Sequence, residues 1–248
     1  MADAPILAMR GLAAGYGGRP VVGGIDLTLH RGEVLGLLGA NGSGKSTLIR
    51  AITGQLPAMA GSVTVGGVAM AADPVAAKAK LGLAVDAPDV PAALTGRQYL
   101  ELVASIRGCA PDAWPAGDMV ALLQFRPWLD RPVASYSLGT RMKVSIAAAL
   151  LGAPPLLIFD EALNGLDPVV AFAMKQLLGT LAAAGHAIIL STHVVETVPV
   201  VCTRALFLAD GRIAGAWDSA ELAAASRAPG DFERAVMAAL SLHGARAA

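Results

Sequence analysis

The sequence predicts an α/β fold: a mainly parallel sheet packed with helices, preceded by an antiparallel β region and interrupted by an inserted helical subdomain. Three observations lead there. The short apolar runs Val34–Leu38, Pro155–Phe159 and Ala187–Leu190 show no alternation, as expected of strands buried on both faces. The first two lead into helical patterns, the strand–helix order of a parallel sheet. Near the N-terminus, by contrast, Ile25, Leu27 and Leu29 alternate with Asp26 and Thr28, the period of a half-buried strand.

Taken in order, Ile6–Arg10 and Ile25–Leu29 read as strands separated by glycine-rich turns that include Gly15-Tyr16-Gly17-Gly18. Val34–Leu38 runs straight into Gly39-Ala40-Asn41-Gly42-Ser43-Gly44-Lys45-Ser46-Thr47, and Leu48, Ile49 and Ile52 suit a helix stopped by Gly54. Thr95 followed by Gln98 is a capping-box signature, with Tyr99, Val103 and Ile106 at helical spacing and Gly108 as the stop. A helix from about Thr140 to Leu151 ends at Gly152. Pro155–Phe159 ends at Asp160-Glu161, and Asp167-Pro168 caps a helix that reaches about Gly185. Ala187–Leu190 is followed by Ser191-Thr192-His193. Ala205–Leu208 and Ile213–Trp217 flank Asp210-Gly211, a hairpin signal. Two short helices follow from Ser219, and Phe232, Val236 and Leu240 mark an amphipathic face packed on its own domain. Trp114 and Trp128 are assigned to the small core of the helical insertion.

Composition excludes several classes. With 19 Lys+Arg against 19 Asp+Glu, the chain has no net charge to track a nucleic-acid backbone. A hydrophobic content of 55% with only 15% charged residues excludes a disordered chain. The mean hydropathy of +0.58 raises the question of a membrane span. The uncharged stretches 51–72 and 176–195 are interrupted by Pro57 and by several glycines and polar residues, so neither reads as a spanning helix. Asp3 and the lack of a basic residue before an apolar run argue against a signal peptide. Cys109 and Cys202 are far apart and are expected to be reduced.

Gly39-x4-Gly44-Lys45-Ser46 matches the P-loop pattern, with the preceding strand and following helix that the motif requires. Glycines let successive N–H groups point at one anion, and the helix N-terminus adds its partial positive charge. Lys45 can reach the β- and γ-phosphates and Ser46 can offer its hydroxyl to Mg²⁺. Asp160 ends a buried strand on the sheet edge that carries the P-loop, where a carboxylate can hold Mg²⁺. Glu161, one residue on, is placed to polarise a water for attack on the γ-phosphate.

With these residues the chain resembles the ATP-binding subunits of ABC transporters, export-type ones in particular, over nearly its whole length. The resemblance implies a P-loop NTPase core. Its nucleotide-binding part would cover 1–85 and 153–217, its helical signature subdomain 86–152, and a helical tail 218–248. Tyr16 looks like the aromatic that stacks on adenine, and Asn41, Gly42, Ser43 and Thr47 fall in the phosphate loop. Tyr136-Ser137-Leu138-Gly139-Thr140 is similar to the signature motif, by which Ser137, Gly139 and Thr140 would contact nucleotide held by the opposite subunit. Leu163-Asn164-Gly165-Leu166-Asp167 resembles the loop that communicates across the dimer, and His193 resembles the switch histidine. Two positions depart from the family pattern. The signature has Leu138 and Thr140 where glycine and glutamine are usual, and Asp86 stands where a glutamine usually touches Mg²⁺ and water.

The implied protein is an ATP- and Mg²⁺-dependent ATPase that closes as a homodimer or heterodimer. It would drive transport, in the export direction, through a separate transmembrane permease on whose cytoplasmic side it sits. An ABC-type ATPase outside transport, or a largely regulatory subunit of a heterodimer, are the alternatives. A GTPase is disfavoured by the lack of an Asn-Lys-x-Asp motif, and a small-molecule kinase has no need of Tyr136–Gly139 or His193.

Overall fold

The computed structural model describes residues 4–85, 89–163, 166–228 and 230–247, the side chains of 242–247 excepted. Strands β1 (Leu7–Tyr16) and β2 (Arg19–Leu29) form an antiparallel hairpin turning at Gly17-Gly18. The sequence predicted only the far ends of this hairpin as strands. Gly15, expected in a turn with Gly17 and Gly18, lies inside β1, as Gly11 does, and Gly24 lies inside β2; the β1–β2 pairing shifts register between Met9 and Leu12 and again near Ala14 and Gly15. Glycine inside a strand commonly marks such bulges. After the strand β3 (Val34–Leu38) and the helix α1 (Lys45–Ile52), β4 (Ala60–Val65) and the two-residue β5 (Val68–Ala69) complete a four-stranded sheet of order β2-β1-β4-β5.

The second sheet holds β6 (Leu81–Ala84), β7 (Leu156–Asp160), β8 (Ala187–Thr192), β9 (Arg204–Ala209) and β10 (Arg212–Trp217) with β3, in the order β10-β9-β3-β8-β7-β6. All neighbours are parallel except β9 and β10, the hairpin expected from Asp210-Gly211. Both turn residues have positive φ, 47° and 71°, as a type I′ turn requires. β6 escaped the sequence reading because four residues carry too little periodicity, as did the six-residue helix α2 (Pro74–Ala79) before it.

Helices α3 (Gly96–Arg107), α4 (Ala116–Leu122) and α5 (Leu138–Leu150) lie between β6 and β7 in sequence. The capping box at α3 forms as expected: Thr95 accepts from the Gln98 N–H and the Gln98 side chain accepts from the Thr95 N–H. Helix α6 (Pro168–Ala183) starts at the Asp167 cap, and α7 (Val198–Val201), α8 (Ser219–Ala224) and the 17-residue α9 (Asp231–Ala247) complete the chain. α9 is one long helix where a short one was expected.

Both faces of the parallel sheet are buried, which accounts for the unalternating strands. Leu156 and Ile158 of β7 join Leu35, Leu37, Leu48 and the antiparallel sheet in one core. Leu157 and Phe159 face the opposite way, into a core shared with α5, α6 and the helices after β6. A smaller third core joins Leu38 and Phe207 to the C-terminal helices. Trp128 fills part of the helical core as expected, edge-on to Tyr136 at 6.0 Å with Arg131 over its ring. Trp114 departs from that reading: it is half exposed and leans on His186 at 6.4 Å. Among the described residues no helix is long and apolar enough to cross a membrane. The paired cores bury much of the apolar content.

Candidate functional site

The site begins where β3 ends. Residues 39–44 turn the chain from a fully buried strand into α1, and no residue of that loop hydrogen-bonds as a strand. Gly44 closes the turn with φ 105°, and a Cβ there would lie 2.6 Å from Val22 Cγ1. Lys45, the first residue of α1, is only 7% exposed. Its ammonium donates to Gly39 O at 2.6 Å and to Ala40 O at 3.3 Å, and stands 3.7 Å from Glu161 Oε1.

Glu161 follows the last residue of β7 and adopts φ 51°, a left-handed conformation uncommon for glutamate. Its N–H donates to Ser191 O at 3.1 Å, which pins this turn to β8. Its second carboxylate oxygen lies 3.0 Å from Nδ1 of His193, the residue directly after β8. Strands β3, β7 and β8 thus deliver Lys45, Glu161 and His193 to one edge because they are parallel neighbours whose ends coincide. Asp160 ends β7 half-buried, in register with Ser191.

A cleft of about 310 Å³ opens beside these groups, lined by Tyr16, Asn41, Gly42, Gly44, Lys45, Ser46, Thr47 and Glu161 among others. The loop fits a phosphate chain on structural grounds. Gly39 has no room for a side chain, since a Cβ would meet Ser43 Oγ at 2.4 Å. Ser43 Oγ is buried without a hydrogen-bond partner among the described residues. No cluster of three His, Cys, Asp or Glu able to hold a metal occurs among the described residues. A Ser46 hydroxyl and an Asp160 carboxylate instead suit Mg²⁺, which typically takes one or two protein ligands plus substrate phosphates.

Other predicted residues sit elsewhere. Ser137 caps α5, accepting from the Thr140 N–H at 3.2 Å and lying 2.8 Å from its hydroxyl, while Leu138 is 61% exposed and Gly139 half-buried. None of these lines the Lys45 cleft. Asp167 caps α6 through the Val170 N–H at 3.0 Å and pairs with Lys143 of α5 at 3.3 Å. Asp86, and residues 164 and 165 of the loop before Asp167, lie outside the described residues.

Gly211, which in the sequence signals only a hairpin turn, contacts the phosphate loop in the structure. Its N–H donates to Ser43 O at 3.1 Å and its carbonyl accepts from Gly23, so the β9–β10 turn braces the phosphate loop against β2. A Cβ on Gly211 would lie 1.9 Å from Val21 O. The Asp-Gly pair signals the turn but not what the turn touches.

The family model described as ABC transporter matches residues 22–164. The chain is 35% identical over 210 residues to an uncharacterized ABC transporter ATP-binding protein, YdbJ, of Bacillus subtilis, covering 84% of this chain and 68% of that protein. It is equally 35% identical to a fluoroquinolones export ATP-binding protein of Mycobacterium tuberculosis, with 84% and 69% covered. Identity to the human phospholipid-transporting ATPase ABCA7 is 34% over 84% of this chain, which spans only 10% of that protein. A solved ATP-binding subunit of an ABC transporter superposes with a TM-score of 0.81 at 29% identity, covering 86% of this chain and 90% of that one. Buried P-loop lysine, strand-end Asp160-Glu161 and an adjoining histidine on one sheet edge agree with these likenesses, and the chain belongs to the ATP-binding proteins of the ABC transporter family.

Proposed function

We propose that this chain is the ATP-hydrolysing motor of a transporter, converting ATP and water to ADP and phosphate to drive substrate through a separate transmembrane permease. The observation that carries the reading is the Glu161 carboxylate held between Lys45 at 3.7 Å and His193 at 3.0 Å beside the phosphate loop. In this role Tyr16 stacks on adenine, and the loop amides with Asn41, Ser43 and Thr47 hold the phosphates. Lys45 turns from its loop carbonyls to the β- and γ-phosphates. Ser46 and Asp160 would hold Mg²⁺, which would supply charge neutralisation at the phosphates, with Asp86 a further candidate in place of the usual glutamine. Glu161 takes the proton of the attacking water, and His193 steadies Glu161 and the γ-phosphate.

Ser137, Gly139 and Thr140 stand at the N-terminus of the 13-residue α5, a position suited to anions, and away from this chain's own P-loop cleft. That separation favours their use in trans, on nucleotide bound by a second ATPase chain, identical or not. Asp167, tied to α5 through Lys143, then links the two sites. The division into a nucleotide core (1–85, 153–217), a signature subdomain (86–152) and a tail (218–248) gives the parts that close and reopen. The exporting relative supports export, and the permease would hold the chain at the cytoplasmic face of the membrane.

The test is Glu161→Gln in the purified chain. It should bind ATP like wild type and hydrolyse it ~10²–10⁴-fold more slowly, the range for loss of a general base. Wild-type turnover in this variant would remove Glu161 as the base.

A further inference from the structure

We infer that the C-terminal helix α9 sets the position of His193, through Phe232 and to a lesser degree Val236. His193 is 55% exposed, and beyond the contact of its Nδ1 with Glu161 Oε2 at 3.0 Å its ring is little covered by surrounding protein. Its placement therefore depends on the chain on either side. Upstream, it is rooted in β8. Downstream, Val194 N–H bonds back to Thr192 Oγ1 at 3.0 Å, a 3-10 turn spans Val195–Thr197, and Val198 opens α7.

Of this downstream foot, residues 195–198, Val195 and Val198 are the apolar residues, and they pack in the cluster that holds α9. Val198 is fully buried in one cluster with Phe232 (2% exposed) and Val236 (3%), and Val195 packs against the same cluster. α9 runs directly beside the 3-10 turn. Phe232 is itself fixed edge-on by Trp217, with ring centroids 5.2 Å apart. The cluster also contains Leu38, the residue before Gly39, so α9 shares one small core with the roots of the phosphate loop and of the histidine loop.

Packed interiors transmit displacement because they have few voids to absorb it. Shortening Phe232 would let the Val195–Val198 foot settle inward and draw His193 away from the Glu161 carboxylate. Phe232 is thus a positioning residue that acts through His193, not a group that touches nucleotide. The inference rests on the reading of His193 given above, and it adds that the end of the chain beyond β10 tunes turnover.

The experiment compares Phe232→Ala, Phe232→Leu, His193→Ala and the Phe232→Ala/His193→Ala double variant of the full chain. It measures ATP turnover, affinity for a fluorescent ATP analogue, and the imidazole ¹⁵N signals of His193 with those of His186 as control. Phe232→Ala should lower kcat ~10–100-fold, up to the cost of an ångström's misplacement, with nucleotide affinity unchanged. Phe232→Leu should recover most of the loss, and the truncation should add nothing in the His193→Ala background, since residues acting as a unit are not additive. The His193 signals should move and those of His186 should stay. Equal loss of kcat in both backgrounds, or unmoved His193 signals, would overturn the inference and leave Phe232 a filler of the core. If His193→Ala keeps full turnover while Phe232→Ala still moves the His193 signals, the positioning stands and the catalytic reading of His193 falls. Should Phe232→Ala prove unfolded by circular dichroism, Val236→Ala, a smaller cut on the same face, carries the same readouts.

Discussion

The guanidinium of Arg50 donates to the hydroxyl of Tyr16 at 3.0 Å, tying the last residue of β1 to the last turn of α1. This bond, with a smaller contribution from Thr47, holds the Tyr16 phenol below its ordinary range. It also fixes the direction of a ring that is 47% exposed at the mouth of the phosphate-loop cleft. A flat aromatic face held open in this way is a platform for a base.

Tyr16→Ala is therefore expected to weaken ATP binding by about 1–3 kcal/mol, the usual worth of one base–aromatic stack, or about 5- to 150-fold in Kd. Tyr16→Phe keeps the ring and loses only the Arg50 bond, so it should retain most of the affinity. Titration of the two variants with ATP checks this. Equal affinities for alanine and tyrosine would take residue 16 out of the base site.

Lys45→Met removes a buried ammonium that would make charge-assisted bonds to phosphate. Such bonds contribute about 1.5–3 kcal/mol each, so ATP affinity should fall ~10- to 150-fold. The rise in Tm that ATP gives the wild type should shrink accordingly, since ligand stabilisation depends on [L]/Kd. A thermal shift that survives intact in the variant would contradict a phosphate role for Lys45.

Gly44→Ala should damage both stability and binding. Its φ of 105° is hostile to any Cβ, and the added carbon would press on Val22 Cγ1 at 2.6 Å. A residue held in such a conformation costs on the order of 1–3 kcal/mol. Calorimetry should show a lower Tm without nucleotide, and the loop amides, no longer in register, should bind ATP more weakly. An unchanged Tm would mean that the loop relaxes freely around the new side chain.

Acid should destabilise the fold in part through Asp130 and Asp167. The Arg97 bond holds the Asp130 carboxyl below its ordinary value, and the Val170 N–H, followed by Lys143, does the same for Asp167. Both folded-state values lie below the unfolded ones, so the stability they contribute is present above the unfolded value, near pH 4, and is lost as pH falls through the folded values. Denaturant titrations between about pH 5 and pH 2 should show a shallower decline for Asp130→Asn/Asp167→Asn than for wild type. Parallel slopes would show that neither bond survives in solution.

Much of this protein was legible in the chain itself, where the causes are local. The buried strands β3, β7 and β8 announce themselves because a strand covered on both faces needs no polar residues. The capping box at Thr95 and the cap at Asp167 follow from short-range hydrogen bonding, and the Gly39–Ser46 pattern specifies a turn that few other sequences can make. Asp160 and Glu161 could be named as site residues because parallel strands end on one edge. The tertiary structure alone decided what depends on distant segments meeting. It merged two expected short strands into the long β1–β2 hairpin, in which Gly11 and Gly15 lie at shifts of register while Gly17-Gly18 make the turn. It set Arg50 on Tyr16, the Gly211 turn on Ser43, and Glu161 between Lys45 and His193. It also placed the C-terminal helix beneath the loop that carries His193. None of these contacts has a sequence period or a fixed spacing, because each is made by side chains or backbone groups from elements far apart in the chain, brought together only when both faces of the parallel sheet are packed.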